Sequence, residues 1–170
     1  LPEATGITKI REGTKEINFT FTDLSGARVS LSDDKYKGKP VIVQLMGSWC
    51  PNCMDETRLF NELYEVYNSK GLKFIALCFE TNNFDVSKMR IERFVKQLGS
   101  KYDFLYAGEV GSSISESLPF IEKINGYPTT LYLDKNHNIV KVYTGFSGPA
   151  TGKHYFELKT AIIKTIESLL

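Results

Sequence analysis

One junction constrains this chain more than any other. The apolar run Val41-Ile42-Val43-Gln44-Leu45-Met46 leads into Gly47-Ser48-Trp49-Cys50-Pro51-Asn52-Cys53. Apolar residues then recur at Leu59, Phe60, Leu63, Val66 and Tyr67. That spacing predicts an amphipathic helix, so the two cysteines stand where a buried strand turns into a helix. Two cysteines separated by two residues can close a small disulfide ring and reopen it. The helix start adds unpaired backbone N–H groups and a positive dipole end, which favour a thiolate at Cys50 and draw its pKa below the free value of about 8.5. A thiolate is the species that attacks a disulfide sulfur. Cys50 is therefore expected to be the exposed attacking thiol, and Cys53, one turn further in, the sheltered resolving one.

Other uses of a paired cysteine fit less well. A zinc ribbon needs a second Cys/His pair at ligand spacing, whereas Cys78 stands alone in an apolar run and His137 and His154 are isolated. A c-type haem site needs His after the second cysteine, where this chain has Met54. A purely structural disulfide across so short a gap constrains little of the unfolded chain. A copper-delivering module remains the alternative of a different class. No cofactor is expected beyond the redox-active Cys50–Cys53 pair itself.

The rest of the chain supplies a frame for that junction. Its 170 residues suit one domain with a sizeable core. The net charge of +1 gives no general attraction to nucleic acid or anionic lipid. No apolar run approaches the ~20 residues of a membrane span. Residues 1–16 read as a polar lead-in or linker and 17–170 as the domain, with an upstream domain or anchor before Leu1 left open. Asn18–Thr22 and Ala27–Leu31, joined through Ser25-Gly26, give a hairpin signal. Leu72–Phe79 is nearly continuous in apolar character and suits a central parallel strand, with Cys78 a small buried hydrophobe.

Ile91, Phe94, Val95 and Leu98 mark a second helix ended by Gly99, and Asp103–Tyr106 a short strand. Gly108–Ile124, with serines between Ser112 and Ser115, reads as a loop with one or two short helices. Thr129–Leu133 and Ile139–Tyr143 form a second hairpin before a last helix carrying Phe156, Ile163, Ile166 and Leu170. The Gly148–Lys153 segment is one residue short of a phosphate loop and has His154 after its lysine, so it reads as a turn. The order predicts an α/β fold, a mixed sheet with helices on both faces.

In this order and spacing the chain resembles the thioredoxin fold, and more narrowly the TlpA/ResA-type thioredoxin-like proteins. The motifs that carry the likeness are Asp23-Leu24-Ser25-Gly26, Lys39-Pro40-Val41-Ile42-Val43, Trp49-Cys50-Pro51-Asn52-Cys53 and Gly126-Tyr127-Pro128-Thr129-Thr130. The resemblance implies a central mixed sheet flanked by helices with an added N-terminal β-hairpin. It implies a bacterial, extracytoplasmic thiol-disulfide oxidoreductase of the periplasm or cell envelope. Its expected partners are protein thiols or disulfides and an upstream electron donor or acceptor, and the chain is expected to act as a monomer.

The likeness also makes Pro128 a cis-proline against the cysteine pair. Trp49, next to Cys50, is expected to shape the surface that meets the partner, and Tyr127 either lines that surface or packs in the core. Thioredoxins carry a buried Asp where this chain has Gln44, and an amide takes up no proton at neutral pH. The TlpA/ResA-type proteins instead use an acid three positions after the second cysteine, which is Glu56 here. Glu56 is thus expected to handle the proton of Cys53.

Overall fold

The computed structural model describes residues 8–111 and 114–170. The first seven residues of the lead-in, and Ser112 and Ser113, lie outside the described residues. In chain order the elements are β1 (Lys9–Ile10), β2 (Thr20–Asp23), β3 (Arg28–Ser30), β4 (Val41–Met46) and α1 (Pro51–Tyr67). Then come β5 (Lys73–Glu80), α2 (Phe84–Leu98), β6 (Asp103–Glu109), α3 (Ile114–Ser117) and β7 (Ile121–Lys123). The chain ends with β8 (Thr129–Leu133), β9 (Ile139–Thr144) and α4 (Lys153–Leu169).

The main sheet runs β3-β2-β6-β5-β4-β8-β9. β4, β5 and β6 are parallel, and the remaining pairs are antiparallel. The apolar run Val41–Met46 becomes the central strand β4, buried along its whole length between β5 and β8. The N-terminal hairpin forms as expected. Asp23 Oδ1 accepts the backbone N–H groups of Ser25 and Ala27, and Gly26 takes φ 90° in the turn. Gly99, at φ 67°, closes α2 in the left-handed conformation that favours glycine.

Strand alternation splits the core by face. Val41, Val43 and Leu45 of β4, with Ile75, Leu77 and Phe79 of β5, pack against Ile17, Phe19, Leu118 and Ile121. The opposite face carries Ile42 and Phe74 against Phe60 and Leu63 of α1 and Ile162 and Ile166 of α4. On that same face Met46, Ala76 and Cys78 meet Ile91 and Phe94 of α2. So the three long helices share one face, and the short α3 is the helix on the other among the described residues. Handedness accounts for α1 and α2. The crossovers β4-α1-β5 and β5-α2-β6 step the same way across the sheet, and right-handed connections then put both helices on one side.

Two segments differ from the sequence reading. Lys9–Ile10, within the presumed lead-in, pair with Ile121–Lys123 in a small antiparallel sheet. The stretch 108–124, expected as a loop with one or two short helices, does hold the short helix α3, but it also supplies the end of β6 and the strand β7. Both strands of the small sheet are too short to show a period of two, and their pairing is set by contacts distant in sequence.

Candidate active site

β4 delivers the chain to the site at its C-terminal end, and three residues turn it into α1. Cys50 is the N-cap of α1, in extended conformation (φ −100°, ψ 113°), and Pro51 follows in the first helical turn, where a missing N–H costs nothing. A cysteine thus stands where Ser or Asp commonly sits, and its Sγ accepts the Cys53 N–H at 3.2 Å. This geometry favours a charge on sulfur. The Cys50 pKa falls to about 7, first through the hydrogen bond from the Cys53 thiol and then through the N–H groups of Cys53 and Asn52, with burial opposing. Cys53 moves the other way, because giving up its proton breaks that hydrogen bond and buries a charge. Both are free thiols.

The environment of Cys50 corrects one expectation. Cys50 is 6 % exposed, so it is sheltered, and Cys53 is fully buried. The exposed residue is Trp49, at 45 %. Its indole N–H donates to the Phe79 carbonyl at 2.8 Å, and its ring meets Tyr127 edge-on at 5.7 Å. Tyr127 in turn packs on Phe79 at 5.8 Å. Gly47 makes the turn possible. A Cβ there would lie 2.1 Å from Trp49 Nε1 and 2.7 Å from the Phe79 carbonyl oxygen.

The loop before β8 reaches the same point. The Tyr127–Pro128 peptide is cis, and the Cys50 thiol donates to the Tyr127 carbonyl at 3.8 Å. Trp49, Cys50, Tyr127 and Pro128 are therefore brought together as the sequence predicts. A tie the sequence did not reveal anchors this loop from the N-terminal segment. Thr8 Oγ1 lies 2.8 Å from Thr129 Oγ1 and accepts the Asn125 N–H at 3.2 Å.

Glu56 lies one helical turn beyond Cys53, on the inner side of α1, and is 1 % exposed. Its Oε1 accepts the Thr130 hydroxyl at 2.8 Å, and the Gln44 side chain also hydrogen-bonds to it. Burial pushes the Glu56 pKa up to about 8, against the pull of those two hydrogen bonds. Gln44 thus occupies the central strand without titrating, and also donates to Thr57 Oγ1 at 3.1 Å. The negative charge of Glu56 is near enough to Cys53 to disfavour a second one there.

Sequence reasoning missed Glu80. It ends β5, is 2 % exposed, and its carboxylate accepts both the backbone N–H of Ser48, at 2.8 Å, and the Ser48 hydroxyl. The available signal was an acid closing an apolar strand beside the motif strand, at the strand ends where open α/β sheets place their sites. Cys78 is buried as expected, in the same apolar cluster as Cys50 and Cys53. His137 is buried with its Nε2 against the Tyr36 and Lys39 carbonyls. Among the described residues no group of three or more His, Cys, Asp or Glu side chains is placed to hold a metal ion. Nor is any helix among them long and apolar enough to cross a membrane.

The family described as Redoxin matches residues 11–156. The chain belongs to the redoxin family. Among its redoxin relatives is the thiol-disulfide oxidoreductase ResA of Bacillus thuringiensis subsp. konkukian, 33 % identical over 137 residues, which cover 81 % of this chain and 72 % of that protein. ResA of Geobacillus kaustophilus is 28 % identical over 138 residues, with the same coverage of 81 % and 72 %. A DsbF homologue from Corynebacterium diphtheriae shares the fold at a TM-score of 0.69 and 24 % identity, over 99 % of this chain and 96 % of that one. A thioredoxin-family thiol:disulfide interchange protein from Chlorobium tepidum does so at 0.65 and 21 %, over 91 % and 98 %. This redoxin has the thioredoxin-like fold and is an oxidoreductase of the thiol-disulfide class.

Proposed function

We propose that the protein exchanges disulfides with protein partners through Cys50-Pro51-Asn52-Cys53, with Cys50 as the attacking thiol. One observation carries this reading: Cys50 Sγ caps α1, accepts the Cys53 N–H, and faces the Tyr127 carbonyl beside Pro128. The Cys50 thiolate attacks one sulfur of a substrate disulfide, forming a mixed disulfide and releasing the other substrate sulfur as thiolate. Cys53 then loses its proton to Glu56 and attacks Cys50, which closes the Cys50–Cys53 disulfide and frees the second substrate sulfur. Two electrons pass from the protein to the substrate, and the reverse sequence oxidises a substrate dithiol. Trp49 and Tyr127 border the thiol and form the surface that meets the substrate segment, with the buried Pro128 next to Tyr127 in the chain.

The likeness to ResA supports an extracytoplasmic place of work and an upstream thiol-disulfide partner that resets the pair. Replacing Cys53 with Ser tests the assignment, because the mixed disulfide then has no internal route to resolution. Peptide mapping of the trapped adduct is expected to find the partner on Cys50. Adducts on Cys78, or none at all, overturn the reading.

A further inference from the structure

The mechanism above leaves one buried carboxylate unused. Glu80 lies at the end of β5, and its two oxygens are taken by the two donors of Ser48. The preceding residue, Phe79, offers its carbonyl to the Trp49 indole at 2.8 Å. Two consecutive residues of β5 therefore grip the two residues that precede Cys50. The Glu80 backbone is itself fixed, since its carbonyl accepts the Val110 N–H at 2.7 Å. A turn this short passes any displacement of Ser48 and Trp49 directly to Cys50, whose own N–H is bound back to the Gly47 carbonyl at 3.1 Å.

We propose that Glu80 is a positioning residue of the site: by clamping Ser48 it fixes Trp49 and holds Cys50 against the Tyr127 carbonyl. It touches no reacting atom and acts through the turn. The consequence for exchange rests on Cys50 being the attacking thiol, but the clamp can be read without any exchange reaction. Besides Ser48, Arg90 from α2 acts on the Glu80 charge; Tyr106 from β6 and Cys78 on its own strand interact with it, and Glu109 of β6 is its cross-strand neighbour. Burial raises the Glu80 pKa, while the Ser48 donors and Arg90 oppose the rise. Protonation on acidification removes one acceptor from the clamp, so the clamp loosens as pH falls.

Trp49 is the chain's single tryptophan, so the indole emission comes from this turn alone. The experiment follows Trp49 emission against pH in a Cys50→Ser/Cys53→Ser background, which removes thiolate quenching. An acid-side transition is expected that Glu56→Gln leaves in place and Glu80→Gln abolishes. A transition that survives Glu80→Gln overturns the clamp. Should Glu80→Gln fail to fold by circular dichroism, Ser48→Ala carries the test. Losing a donor that favours the charged carboxylate must move the midpoint to higher pH, and an unmoved midpoint overturns the proposal.

The positioning role has its own readout in the dithiol protein, the alkylation rate of Cys50 by iodoacetamide near neutral pH. Glu80→Ala leaves both the Ser48 N–H and the Ser48 hydroxyl without their acceptor and is expected to lower the rate at least about tenfold, since each is a hydrogen bond to a charged group. Glu80→Gln keeps an oxygen for that N–H and is expected to restore most of the rate. An alanine variant that folds and reacts at the wild-type rate overturns the positioning role, even where the Cys53→Ser trap succeeds.

Discussion

Replacing Glu56 with Gln is expected to make the reduced protein more stable at alkaline pH and to leave it nearly unchanged at acid pH. The cause is burial: Glu56 is 1 % exposed and its pKa rises from an ordinary 4.5 to about 8. A carboxyl with a raised folded pKa is held in its neutral form by the fold. The stability that neutral form supplies is fully present below 4.5 and is lost as pH rises through about 8. The gap between those values, at about 1.4 kcal/mol for each pH unit, sets a ceiling of about 5 kcal/mol on the loss. Gln keeps an oxygen for the Thr130 hydroxyl and cannot ionise, so the variant does not pay that penalty. At acid pH both side chains are neutral, and the two proteins should agree to about 1 kcal/mol.

The assay is urea unfolding with reductant present, from about pH 5 to about pH 9. A difference near 4 kcal/mol moves the midpoint by roughly 2 M for a typical urea dependence of about 2 kcal/mol per molar. Cys50 works in the opposite sense. Its folded pKa is lowered to about 7 from 9.0, so its contribution is present above the unfolded value and lost as pH falls through about 7. Both proteins carry that thiol, so the difference between their curves isolates Glu56. The same comparison in a Cys50→Ser/Cys53→Ser background removes the coupling between carboxylate and thiol. Parallel curves across the whole range, in either background, refute the reasoning.

Two further outcomes follow from the site. The alkylation rate of Cys50 should rise with pH to a midpoint near about 7, with Cys53 and Cys78 unmodified in the folded protein; a midpoint at the ordinary thiol value refutes the helix-cap argument. Gly47→Ala puts a Cβ 2.1 Å from Trp49 Nε1 and 2.7 Å from the Phe79 carbonyl. It should cost about 1–3 kcal/mol by thermal unfolding and shift the Trp49 emission, whereas an unchanged spectrum means that the indole does not hold this position.

The elements around the cysteines were legible because their signals are local. The apolar run, the helical period after Cys53 and the turn at Ser25-Gly26 each lie within a few residues of the structure they specify. Glu56 was singled out by the resemblance to the TlpA/ResA-type proteins, and one helical turn then fixes its side relative to Cys53. What escaped is made by contacts far apart in sequence. The loop carrying Tyr127 was placed beside Cys50 only through the family resemblance, its burial of Cys50 was not expected, and the grip on Ser48 by the end of β5 was missed altogether. Neither leaves a periodic trace. The placement of α1 and α2 on one side was recoverable in principle, because connection handedness decides it once strand order is known.

Glu56 and Glu80 are two buried carboxylates at one site, and their surroundings push them toward different work. Glu56 has the Thr130 hydroxyl and the Gln44 amide as donors, and desolvation dominates. It holds its proton close to working pH and can exchange it with a buried thiol. Glu80 has both donors of Ser48 and the attraction of Arg90, which hold its rise in check and keep it an anion over a wider range. An anion that accepts two hydrogen bonds is a fixed point, suited to holding a turn. Gln44 sharpens the division. A carboxylate at that position, beside Glu56, would leave two acids sharing one buried space, and like charges there would spread their titrations apart. With an amide in its place Glu56 shares that space with no second acid at position 44, so the pH dependence of the resolving step is expected to follow one carboxyl on α1, coupled to the two thiols.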